Sequence, residues 1–229
     1  MLKKKVYSAK ELYALIGTAS KEATDRKLGR YEIEYTTCGR GDTLTYTITN
    51  IHDPFKVFCV FDLGFAPQTD FDKLCDFIFF LLNDDDFTWR PFEMMEEYLR
   101  IAGRGISRQT LANYTRHLER NDIVSTTAGD FVYYRVYKHY GVQQHEIVEK
   151  AAYSAAWKVY WDARERGYDS RAAYDVMYNV FQGTPRKQRI IVQNAFTQDI
   201  VSYLSELVAE RLNDKYASDK GDSVKQLTE

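Results

Sequence analysis

Two hydrophobic rhythms run along the chain. In KVYSAKELYALIG the apolar residues Leu12, Leu15 and Ile16 recur at helical spacing. Ser8 stands as N-cap, Glu11 lies three residues on as its capping-box partner, and Gly17 stops the helix. TASKEATDRKLGRY predicts a second short helix, capped by Thr18 or Ser20 and ending near Gly29. The rhythm then shortens to two: YEIEYTT and TLTYTITNI are β-branched and aromatic strands, and CGRGD between them supplies a glycine-bearing hairpin turn. IHDPFKVFCVFDLGFAPQTD follows with Pro54 and Pro67, and its apolar VFCVF is expected to form a strand.

Helical spacing returns at Asp70, where Phe71, Leu74, Phe77, Ile78, Leu81 and Leu82 share a face. NDDDFTW breaks the pattern, and RPFEMMEEYLRIAG starts a new helix with Pro91 at its first turn. A third helix begins after Ser107, with Leu111, Tyr114 and Leu118 inward. IVSTT and FVYYRVYK, joined by AGD, predict a second hairpin. The remainder is expected to be all helix: HEIVEKAAYSAAWKVYWDARERG, SRAAYDVMYNVFQG, and a last helix starting at Thr184 and Pro185.

The expected fold is mainly α with small β-hairpins: two tandem winged helix-turn-helix modules followed by a C-terminal helical domain. The domain limits are 1–53 for the first winged helix, 54–69 for the linker with its strand, 70–140 for the second winged helix and 141–216 for the helical domain. Residues 217–229, SDKGDSVKQLTE after Ala217, are polar and without aromatics, a composition that predicts disorder. The run SAKELYALIG followed by TASKEATDRKL resembles the compact winged helices of excisionases and of mercury-resistance-type regulators. That resemblance implies a second helix in the DNA major groove and a hairpin on the backbone. Glu22 and Asp25 make this helix less basic than the family pattern.

Charge adds contrast rather than a sum. The net is −2, but residues 1–60 carry +3, 61–100 carry −7, 101–140 carry +3 and 141–229 carry −1. Three cysteines without C-x-x-C spacing point to a reduced, cytoplasmic setting. MLKKKVYSAKEL has no apolar stretch behind its lysines, and the richest apolar run, Phe77 to Leu82, is far short of the roughly 20 residues of a membrane span.

The candidate chemistry is recognition of DNA. The helix after Ser107 carries Arg108 and no acid in its first turn, where an acid would ordinarily complement the dipole. An anion such as phosphate suits that end. Arg108, Gln109, Asn113 and Arg116 are side chains of the types that pair with base edges. Lys21, Arg26, Lys27, Arg40, Arg120, Arg186 and Lys187 are the phosphate-contact candidates, Arg186 and Lys187 because they crowd the start of the last expected helix. Polar residues also coat any exposed helix, and winged helices also serve as docking modules. Ala151, Ala152, Ala155 and Ala156 with Tyr153, Trp157, Tyr160 and Trp161 read as core packing or a dimer interface ahead of a nucleotide-stacking platform.

Enzyme signatures are not found. GRGDT lacks the lysine and helix of a P-loop, and the four histidines lie apart from any cysteine pair. Asp84, Asp85 and Asp86 are consecutive and so point different ways, unlike a calcium loop. The expectation is a non-enzymatic regulator of a mobile element, without metal or cofactor, that binds double-stranded DNA as a homodimer through its C-terminal helices. The alternatives are a plasmid-type replication initiator and a phage-encoded inhibitor that docks on a host defence nuclease.

Overall fold

A computed structural model describes residues 1–88, 90–193 and 198–225, without the side chains of 85, 86, 126–130, 192, 193, 198 and 216–225. The fold is mixed α/β with small antiparallel sheets. The chain divides into two compact units, one of Met1–Phe79 with the C-terminal helix, the other running from Phe80 through the last strand.

The first unit opens with β1 (Val6–Ser8), α1 (Ala9–Ile16) and α2 (Lys21–Arg30), followed by β2 (Ile33–Cys38) and β3 (Thr45–Ile51). Ser8 caps α1 by accepting from Glu11 N, and Ser20 rather than Thr18 caps α2 by accepting from Ala23 N. Gly17 ends α1 at φ +66°, a left-handed conformation that a Cβ would strain. The antiparallel sheet has the order β1-β3-β2. Leu12, Ile16, Leu28, Tyr46 and Ile48 are buried together between helices and sheet, each contributing about 1.5–3 kcal/mol of apolar transfer.

VFCVF is not a strand. It lies in α3 (Pro54–Phe61), where Asp53 accepts from Lys56 N as N-cap and Pro54 occupies the first turn. The capping pair outweighs the β-branched composition. Phe55, Val57, Phe58 and Cys59 are all buried, so the stretch assigned to a linker is core. Next comes α4 (Phe71–Asn83), and the unit is completed by α10 (Gln198–Lys225). Arg211 of α10 reaches Asp53 and also Asp72, at 2.9 Å, while Phe58 and Tyr203 meet edge to face at 5.3 Å. Helix α10 extends past Ala217, where order was expected to end, and residues 226–229 lie outside the described residues.

The second unit holds α5 (Asp85–Thr88), α6 (Phe92–Ile101) and α7 (Arg108–Arg120), then β4 (Val124–His139), β5 (Val142–Val148), α8 (Lys150–Glu165), α9 (Ser170–Phe181) and β6 (Thr184–Gln193). Three expectations fail here. AGD is no turn, because β4 runs through it with a register shift between Thr126 and Phe131. The hairpin turn is instead Tyr140–Gly141, and HEIV pairs in β5 rather than opening a helix. Residues from Thr184 are strand β6, not helix, since the β-branched Ile190 and Ile191 are buried beside the long central strand β4. The C-terminal part is therefore not a single all-helical domain, and residues 194–197 of the last expected helix lie outside the described residues.

The sheet order is β5-β4-β6. Alternation puts Val132, Tyr134 and Val136 on one face and Phe131, Tyr133 and Arg135 on the other. Tyr134 donates to Glu93 of α6, whereas the Tyr133 ring lies 4.9 Å from Tyr153 of α8. Helices α6 and α7 thus cover one face and α8 with α9 the other.

Candidate functional site

Helix α7 is held by its inward face. Leu111 and Leu118 are wholly buried, Tyr114 and Thr115 nearly so, and the Thr115 hydroxyl donates back to Leu111 O at 2.9 Å. Ser107 caps the helix by accepting from Thr110 N. What remains outside is an exposed line of Gln109, Asn113, Arg116 and Arg120. Their spacing of four, three and four residues places them above one another along the helix. Asn113 Oδ1 accepts from Gln109 Nε2 at 3.2 Å and from Arg116 Nη1 at 3.3 Å, which preorders three of the four. No acid belongs to this line. Beside it, Arg116 and Glu119 of α7 and Arg189 of β6 line a groove of 220 Å³.

Arg108 stands apart from the line. Its Nη1 lies 3.0 Å from Glu93 Oε1, and the other Glu93 oxygen accepts from the Tyr134 hydroxyl at 3.3 Å. Burial, reinforced by Glu93, pushes the Tyr134 phenol up to about 12. Arg108, Glu93 and Tyr134 border a cavity of 520 Å³ that Lys138, Arg186 and Lys187 also line. The two runs marked in the sequence as cation-rich helix starts thus meet in one place. The dipole argument for Arg186 and Lys187 fails, because both sit within strand β6.

The first-unit candidates divide. Arg26 is exposed on α2, and Arg40 is exposed at the tip of the β2–β3 hairpin. Lys21 is held by Asp25 one turn along the same helix. Lys27 is not a free phosphate contact: its Nζ donates to Ile16 O at the end of α1 and lies 4.9 Å over the Phe61 ring. A cation at a helix C-terminus answers the negative end of the dipole, so Lys27 holds α1 to α2.

The aromatic helix α8 packs through Ala156 and Ala163 toward Ala173 and Met177 of α9, while Trp161 remains exposed. Asp84 accepts from Phe87 N and from the Tyr98 hydroxyl, at 3.1 and 2.9 Å, as a local helix cap; the side chains of Asp85 and Asp86 lie outside the described residues.

Glu93, Tyr134 and Lys138 carry no sequence signal of their own. Their convergence depends on the β4 register, and only a pairing of β4 with both β5 and β6 would have exposed it. Among the described residues, no helix is long and apolar enough to cross a membrane. Comparison with protein-family models, with curated proteins and with solved structures finds no match to this chain.

Proposed function

We propose that this protein is a sequence-specific double-stranded DNA-binding regulator that reads the major groove with α7. The observation that carries this reading is the exposed line Gln109–Asn113–Arg116–Arg120, built on a fully packed helix and free of acids. Arginine pairs with guanine and Gln or Asn with adenine through two bonds each, so the line has the chemistry of base recognition. Helices α6 and α7 with the β4–β5 hairpin have the order of a helix-turn-helix and its wing, and β1–α1–α2–β2–β3 has the same order in the first unit. On this reading both are winged helices. Arg40 at the hairpin tip, Arg26, Arg120 at the end of the line and Arg189 beside it would contact phosphates. Arg108 is better placed to anchor α7 to α6 than to reach a base, given its bond to Glu93.

A docking role for the first unit has its own support. Lys21 and Lys27 are both engaged within the unit, which leaves α2 only Arg26 and Arg30 exposed for a phosphate backbone. In that case α7 binds DNA and the first unit binds protein.

The experiment is selection of duplexes from a random pool on the full chain, followed by anisotropy titration of the recovered sequence. Arg116→Ala is expected to weaken binding by roughly 1–3 kcal/mol and to relax the sequence preference at one position. Arg171→Ala, an exposed position of α9, should leave both unchanged. Recovery of no common sequence would remove α7 from this role.

A further inference from the structure

The cavity bordered by α6, α7, the sheet and Tyr178 of α9 has a charge imbalance. Glu93 pairs with Arg108, so these two nearly cancel. Among the described residues neither Arg186 nor Lys138 has an ion-pair partner, although both line the same space. Lys187 stands at the margin with its ammonium 4.7 Å over the Phe131 ring.

Strand register defines the geometry. Arg186 is opposite Tyr134, Thr184 is opposite Val136, and Lys138 is opposite Gln143. Tyr134, Val136 and Lys138 alternate onto one face, so the two unmatched cations flank Val136 at about 7 Å along the strand in either direction. Both side chains are long enough to converge over Val136, while the Thr184 hydroxyl is held by the Tyr174 hydroxyl of α9. Gly183 closes the end: a Cβ there would come within 2.9 Å of Val136 O.

We propose that this cavity binds a small phosphomonoester, its phosphate held over Val136 by Arg186 and Lys138. Two unmatched cations answer the dianion that a phosphomonoester carries near pH 7. Arginine supplies a two-pronged contact and lysine a point charge, as in many phosphate sites. The volume of 520 Å³ exceeds what a phosphate needs and leaves space for its organic group. Glu93 is the acid of the lining, and it weakens the site by repulsion. A duplex backbone presents the same phosphate chemistry, and the experiment separates the two sources.

The probe is phenyl phosphate, titrated calorimetrically into the full chain at constant ionic strength, with a chloride control. The expected result is saturable binding of one molecule per chain, weakened about tenfold by Arg186→Ala and by Lys138→Ala. Arg171→Ala should have no effect, and Glu93→Gln should tighten binding several-fold. All the first three positions are exposed, so their loss does not compromise folding. Absence of saturable binding, or equal binding by the Arg186→Ala and Lys138→Ala proteins, overturns the proposal. If phenyl phosphate fails while Arg186→Ala weakens duplex binding, the phosphate is that of DNA and the small-molecule site is likewise overturned. Because the titration contains no DNA, its failure leaves the α7 reading standing.

Discussion

Arg108, the first residue of α7, is bonded to Glu93 of α6 at 3.0 Å, and Tyr134 of the sheet donates to the same carboxylate. One acid therefore ties together the helix start, its neighbouring helix and the central strand. The pair also explains how α7 begins with an arginine and no acid in its own turn: the balancing charge comes from another helix. Glu93→Gln should cost less than about 1 kcal/mol in stability, since Arg108 is 62% exposed. Thermal melting reads that cost. With Arg108 released and an acid removed, DNA affinity should rise, and a fall would show that Glu93 orients the reading helix.

Tyr134 gives the second unit a signature at high pH. Its phenol is raised from 10 to about 12, chiefly by burial and then by Glu93. A folded-state value above the unfolded one stabilises the protein fully below pH 10, and that contribution is lost as pH rises through about 12. Denaturation midpoints of the wild type should therefore fall relative to those of Tyr134→Phe across this window. Parallel curves would place the phenol in water.

Thiol chemistry tests the first unit. Cys38 is exposed on the hairpin, whereas Cys59 and Cys75 are buried, and burial pushes the Cys75 thiol up to about 12. A maleimide counted by mass should label one of the three cysteines in the native protein and all three in denaturant. Rapid native labelling of Cys59 would contradict its place inside α3.

Local signals were legible in the sequence. Ser8, Ser20, Ser107 and the glycine after α1 marked helix limits that the structure keeps, because a cap is a contact between residues three or four apart. Non-local signals were not. VFCVF reads as strand by composition, yet the Asp53 cap and the burial of Phe55 and Phe58 make it helix. Thr184–Gln193 reads as helix beside its charged run, yet its partner strand begins sixty residues earlier at Val124. The α7 line was visible because helical spacing is intrinsic to one segment. The cavity was not, since Arg186, Tyr134 and Glu93 meet only through sheet register and helix packing.

The central claim is that the outward line of α7 lies against DNA bases. Replacing Asn113 with photoreactive benzoylphenylalanine, and separately Arg171 as control, then irradiating each with a selected duplex, tests it most directly. The account predicts a protein–DNA adduct from position 113 and none from position 171. Adducts from neither position, or equal adducts from both, would contradict it.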